Sequence, residues 1–137
     1  MKPHERFLHT ERYKMAKRYG DKFGMKWILD AGCGMGYGAH VLGAIGVDLD
    51  QEALRIAKSR YSYMDFVRAD VHSLPFRKEC FDMIVSFEVI EHVIDVQCYT
   101  EEIYRCLKMH GLLFISTPNL IFQIIIKFFN KYPKSCL

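Results

Sequence analysis

Leu29-Asp30-Ala31-Gly32-Cys33-Gly34-Met35-Gly36-Tyr37-Gly38 is the stretch on which the reading of this chain turns. Its four glycines stand at alternate positions directly after a short apolar run. Glycine takes positive φ without strain and lets another group approach the backbone where a Cβ would collide. A strand-to-helix turn that is merely tight needs one such residue. Four of them predict a loop shaped around something bound.

On either side of this loop, short apolar runs rich in β-branched or aromatic residues recur at 27–29, 44–49, 63–68, 81–87 and 112–116, each short enough to be a strand. Between them, residues 51–60 carry Ala53, Leu54, Ile56 and Ala57 at helical spacing, and residues 100–107 carry Ile103, Tyr104 and Leu107 likewise. A further helix over 9–17 leads into the first strand. Strands alternating with helices, and strands apolar almost throughout, predict an α/β fold. Its parallel sheet is covered on both faces and joined by right-handed crossovers. In such a sheet ligands sit beyond the carboxyl ends of the strands, where the strand order reverses.

Acidic residues stand at those ends. The second strand finishes in Val47-Asp48-Leu49-Asp50, where the Asp48 carboxylate can accept both hydroxyls of a ribose, while Asp50 caps the helix that begins at Gln51. The third finishes in Arg68-Ala69-Asp70-Val71-His72, and a carboxylate there can accept from the amino group of an adenine. Alone, either Asp reads as a cap or turn residue. Around one glycine loop they point to a shared ligand.

Composition narrows the class. The chain has 137 residues, half of them apolar, enough for one domain with a core. Nineteen basic and sixteen acidic residues are spread without a long run, a balance that neither requires nor excludes nucleic acid. Five cysteines with no C-x-x-C pair fit a reducing, cytoplasmic setting. The charged start, Met1-Lys2-Pro3-His4-Glu5-Arg6, is unlike a secretory signal. The apolar tract 120–129 is broken by Gln123 and Lys127 and falls short of the roughly 18 residues of a membrane span.

Taken in order, Asp30 to Gly36, Gly46-Val47-Asp48, Ala69-Asp70 with Leu74-Pro75-Phe76, Phe81-Asp82 through Glu91-His92, and the segment 107–119 resemble the motifs of class I S-adenosylmethionine-dependent methyltransferases. The likeness is to the type 11 and ubiquinone-pathway O-methyltransferase kinds and runs from about residue 9 to residue 119. It implies a Rossmann-like, doubly wound sheet of five strands in the order 3-2-1-4-5. It also implies three segments: an N-terminal helical part (1–26), a cofactor-binding core (27–119) and an apolar C-terminal helix (120–137). Asp30 with the backbone of Gly32, Cys33, Gly34 and Gly36 would hold the methionine part of S-adenosylmethionine or S-adenosylhomocysteine. Asp48 and Leu49 would hold the ribose, Asp70 and Val71 the adenine, while Ser86 and Phe87 line the pocket near the sulfonium. The segment His9-x-x-Arg12-Tyr13 resembles a helix that covers the cofactor in some members.

A nicotinamide or flavin domain is the competing fold-level reading, because Gly34-Met35-Gly36-Tyr37-Gly38-Ala39 satisfies G-x-G-x-x-A. Against it, Asp30 would set a negative charge beside a pyrophosphate, whereas it suits the ammonium of a methionine moiety.

After the fourth strand comes Glu88-Val89-Ile90-Glu91-His92. If a helix begins at Glu88, the two carboxylates and the imidazole share one face and suit Mg²⁺ or Mn²⁺. The spacing is similar to the metal-binding Glu-x-x-Glu-His of small-RNA 3′-terminal 2′-O-methyltransferases and of ubiquinone-pathway enzymes. The RNA-modifying relatives carry a further histidine after the fifth strand, and here Thr117-Pro118-Asn119-Leu120 is followed by none, which argues against nucleic acid as substrate. His4, His9, His40, His72 and His110 show no ligand spacing and read as surface or turn residues.

The expected reaction is methyl transfer to a nucleophile, most readily oxygen, on a small-molecule acceptor, with His92 the nearest group to accept a proton. A cofactor-binding module without turnover is the other reading. The family's strands after the fifth have no counterpart in 120–137, so the chain reads as trimmed. Its apolar residues 121–129 then call for a homodimer or a partner covering residues 112–130.

Overall fold

The computed structural model describes residues 3–117 and the pair Lys127–Phe128. A long helix, α1 (Pro3–Lys22), leads into β1 (Ile28–Ala31), and there follow α2 (Tyr37–Leu42), β2 (Ile45–Asp48), α3 (Gln51–Arg60), β3 (Phe66–Arg68) and β4 (Phe81–Phe87). A single 3₁₀ turn (Ile90–His92) precedes α4 (Val96–Cys106), which runs directly into β5 (Leu107–Ser116); β6 is the pair Lys127–Phe128. The sheet order is β3-β2-β1-β4-β5-β6. The first five strands are parallel, in the expected order 3-2-1-4-5.

Period-two alternation sorts the strands between two helical layers. Ile28, Met83, Val85, Phe87, Leu112 and Phe114 pack with Tyr13 and Ala16 of α1 and Leu42 of α2. Leu29, Ala31, Ile84 and Leu113 pack with Tyr99, Ile103 and Cys106 of α4. Full burial of a side chain such as Ile103 contributes about 1.5–3 kcal/mol. Because β1 pairs with β2 on one side and β4 on the other, the chain reverses its direction of travel at β1. The crevice at that switch point opens above the glycine loop.

Local rules place the helices. Asp50 caps α3 as expected, accepting from Glu52 and Ala53 amides at 2.9 and 3.2 Å. Asp95 caps α4 through the Cys98 amide, which starts that helix four residues before the apolar spacing announces it. The first crossover is short, as its sequence implied: α2 has six residues and stops at left-handed Gly43.

Several boundaries move. Trp27 and Tyr63, counted with strands from their apolar character, are exposed, and β1 and β3 begin at Ile28 and Phe66. β5 starts at Leu107 rather than 112, with a break in register between Phe81↔Leu107 and Met83↔Leu112 and with His110 at positive φ. The C-terminal helix expected over 120–137 is contradicted at Lys127–Phe128, which pairs antiparallel with Leu113 and Leu112 and so covers part of the β5 edge expected to be open. The remainder of that segment, with Ile121, Phe122, Ile124, Ile125, Ile126 and Phe129, lies outside the described residues.

Candidate functional site

The glycine loop is fastened to β2. Gly32 and Cys33 amides both donate to the Val47 carbonyl, at 2.8 and 2.9 Å. The Gly34 amide donates to Asp48 Oδ2 at 2.8 Å, and the Asp50 amide to Asp48 Oδ1 at 2.9 Å. Each Asp48 oxygen thus has one backbone donor and keeps a lone pair toward the cleft. At Gly34, φ is +51°, and a Cβ added there would find nothing within 4 Å. Its glycine requirement is conformational, and its outer side is open.

Asp30 lies at the base of the loop, fully buried. The Tyr13 hydroxyl of α1 donates to its Oδ1 at 3.1 Å. Its Oδ2 is buried without a hydrogen-bond partner among the described residues. Burial pushes the Asp30 carboxyl up to about 7, and the neighbouring Asp48 charge adds to this, against the opposing hydrogen bond from Tyr13. The same burial and the Asp30 charge push the Tyr13 hydroxyl well up, so it stays a donor. Room for the Tyr13 ring comes from Gly38, where a Cβ would stand 2.0 Å from its Cζ. His9 and Phe87 pack edge-on against the same ring, with centroids 5.0 and 4.9 Å away.

Arg12, one residue earlier on α1, pairs with Glu88 at the end of β4 and donates to Ser116 Oγ at the end of β5, at 3.3 Å. The N-terminal helix is therefore fastened over the carboxyl ends of β1, β4 and β5.

A cleft of about 350 Å³ opens between the ends of β2, β3 and β4. Gly32, Asp48, Leu49, Asp70, Val71 and His92 line it, together with Glu88 and His72. All of these but His72 were expected at the site, and they are brought together from four separate segments. Asp70 accepts from the amide and ring Nδ1 of His72, at 2.9 and 2.6 Å, bonds that hold its carboxyl below the usual carboxylate range.

Other expected residues do not line this cleft. Ser86 is fully buried, donating to the Ala31 carbonyl at 2.9 Å and accepting from the Tyr99 hydroxyl at 2.8 Å. Strand alternation turns it toward α4, so its side chain braces the interior. Phe87 points to the opposite layer, against Tyr13. Cys33 is buried in that layer, and burial raises its thiol far above the ordinary range, which makes it a packing group. A Cβ at Gly36 would meet Phe66 and Ala57, so packing of the loop on α3 and β3 also demands that glycine.

The metal reading is corrected. Glu88 leaves β4 with φ +58°, so no helix passes through it and the i, i+3, i+4 spacing never forms a face. Its carboxylate pairs instead with Arg12. His92 Nε2 lies 3.9 Å from Glu91 Oε1, with the imidazole largely exposed. Among the described residues no group of three His, Cys, Asp or Glu side chains is placed to hold an ion.

Tyr13 and His72 are the contributors whose roles spacing did not disclose. Gly38 was the available signal for Tyr13: a fourth alternate glycine that the ligand-binding turn does not use. His9, read as a surface residue, is half-buried against Tyr13, and burial lowers its ring pKa.

A doubly wound parallel sheet with a glycine loop at its switch point and carboxylates at successive strand ends defines a Rossmann-like cofactor-binding domain. Residues 29–115 match the methyltransferase domain family, and the chain belongs to that family. It is 39% identical over 99 residues to a Mycobacterium tuberculosis protein named "probable S-adenosylmethionine-dependent methyltransferase", covering 69% of this chain and 36% of that one. To the mitochondrial ubiquinone biosynthesis O-methyltransferase of Rattus norvegicus it is 35% identical over 109 residues, 70% of this chain and 31% of that one. The YcgJ protein of Bacillus subtilis superposes with a TM-score of 0.70 over 78% of this chain and 50% of its own, at 24% identity, a likeness of fold. The chain spans about a third of the length of the curated relatives it matches. No helix among the described residues is long and apolar enough to cross a membrane.

Proposed function

We propose that this chain is the cofactor-binding part of an S-adenosylmethionine-dependent methyltransferase acting on an oxygen of a small-molecule acceptor. The observation that carries the reading is the convergence of the Asp48 carboxylate, fixed by the Gly34 amide, with Asp70 across one cleft, above a buried Asp30 whose Oδ2 lacks a partner. An orphaned carboxylate oxygen at the base of the loop suits an ammonium group, and the open side of Gly34 leaves its backbone approachable. Asp30 with Gly32 and Gly34 would hold the methionine part, Asp48 and Leu49 the ribose, and Asp70 and Val71 the adenine. When bound, the cofactor supplies an electrophilic methyl group on sulfonium sulfur. The chain's own part is alignment, worth about 7–11 kcal/mol of the barrier when two reactants are held in line. His92 would accept the acceptor's proton, a role supported by its exposure at the cleft. The names of the ubiquinone-pathway relatives support oxygen as the nucleophile.

Isothermal titration with S-adenosylhomocysteine tests the cofactor assignment. Asp48→Ala should weaken binding by about 1.5–3 kcal/mol, the range for a hydrogen bond to a charged group. A variant that binds as tightly as the parent removes Asp48 from the site.

A further inference from the structure

We propose that His72 is a positioning residue that sets the base specificity of the cofactor cleft, an inference that rests on Asp70 as the acceptor for the adenine amino group. Two bonds from His72, through its amide at 2.9 Å and its ring Nδ1 at 2.6 Å, both land on Asp70 Oδ1. At the other side of the ring, Nε2 faces the Asp95 amide at 3.3 Å. An amide N–H can only donate, so Nε2 carries the lone pair and the ring proton sits on Nδ1, aimed at the carboxylate. One neutral imidazole in one tautomer satisfies both neighbours. With Oδ1 engaged twice, the plane of the Asp70 carboxylate is fixed, and Oδ2 is the oxygen presented to a base edge.

The same residue also fixes the opposite wall. Its carbonyl accepts from the Cys98 thiol at 3.3 Å, while Asp95 caps α4 through the Cys98 amide at 2.9 Å. His72 thereby joins the end of β3 to the start of α4 at two points. The residues just before that start, Val93 and Ile94, line the cleft beside Asp70 and Val71, and Ile94 is 98% exposed. An exposed isoleucine lining the same cleft as Val71 offers an apolar contact for the face of a flat ring. The in-plane acceptor and the apolar walls are both held by His72. The ligand chemistry they select is a purine with an exocyclic amino donor. A carbonyl at that position would set oxygen against carboxylate oxygen, an unfavourable meeting of two acceptors.

The experiment compares S-adenosylhomocysteine with S-inosylhomocysteine, which carries a carbonyl in place of the amino group, by isothermal titration of the full chain. Parent, His72→Phe and His72→Asn proteins are measured, with circular dichroism to verify folding and His72→Ala in reserve should the Phe protein not fold. The parent should prefer the adenosyl ligand by about ten- to a hundredfold. Phe keeps the ring volume without the bonds and should reduce the preference to within about threefold. Asn keeps a donor near the place of Nδ1 and should restore most of it. A parent without preference overturns the assignment of Asp70, and this inference with it. A parent that discriminates beside a Phe or Ala protein that discriminates equally overturns the role of His72 and leaves Asp70 in place. Equal weakening of both ligands in every variant marks a merely structural residue and likewise overturns it.

Discussion

Replacing Asp30 by Asn separates what a buried carboxyl costs the fold from what it does at the site. Its ordinary value of 3.8 is raised to about 7 in the folded chain, chiefly by burial. Below pH 3.8 the group is protonated in both folded and unfolded chains and contributes nothing to the balance. Between there and about pH 7 the unfolded chain has released the proton that the folded chain still holds. The unfolded state then binds fewer protons, and stability falls as pH rises. Three pH units at about 1.4 kcal/mol each set an upper limit of about 4 kcal/mol lost by pH 8. Asn removes that loss, but its amino group in place of Oδ2 is an unpartnered buried donor that costs about 1–3 kcal/mol at every pH. Comparing urea unfolding of parent and Asp30→Asn at pH 4.5 and pH 8 cancels this constant contribution. The stability difference should shift by about 3 kcal/mol in favour of the variant on going to pH 8. Saturating S-adenosylmethionine should flatten the parent's pH dependence, because an ammonium beside Oδ2 favours the ionised carboxylate, and should leave the variant's unchanged. Parallel pH profiles for the two proteins without ligand would refute the reasoning.

Two further outcomes follow from the geometry. Gly38→Ala sets a Cβ 2.0 Å from the Tyr13 ring, so α1 must lift or the ring must leave; a loss of about 3 kcal/mol is expected in urea unfolding, and a change under 0.5 kcal/mol would show that Tyr13 adapts freely. Manganese titration followed by electron paramagnetic resonance should find no stoichiometric site on the chain; a micromolar site abolished by Glu88→Gln would reinstate the Glu88, Glu91 and His92 cluster that the Arg12 pairing dissolves.

What depends on near neighbours was legible in the residues themselves. Alternating strand and helix patterns gave the parallel sheet and, with the family resemblance, its order, because side-chain period is a property of a few consecutive residues. The glycine loop and the Asp50 cap were legible for the same reason: backbone conformation and capping involve atoms two or three residues apart. The acidic strand ends were legible because strand termini in such a sheet converge on one edge. Tertiary structure alone decided which of these groups remain available to a ligand. Glu88 looked like one face of a helix, yet its left-handed φ broke that face, and Arg12, 76 residues away, took its carboxylate. Ser86 looked like a pocket residue until Ala31 and Tyr99 claimed its hydroxyl. His72 looked like a turn residue, and its work appears only when Asp95, 23 residues on, comes within reach of Nε2. Tyr13 meets Asp30 only because α1 lies on the sheet and Gly38 makes way. A hydrogen bond is decided within about 3 Å, and which distant side chains come that close is set by the stacking of helices on the ordered sheet, which no local pattern encodes.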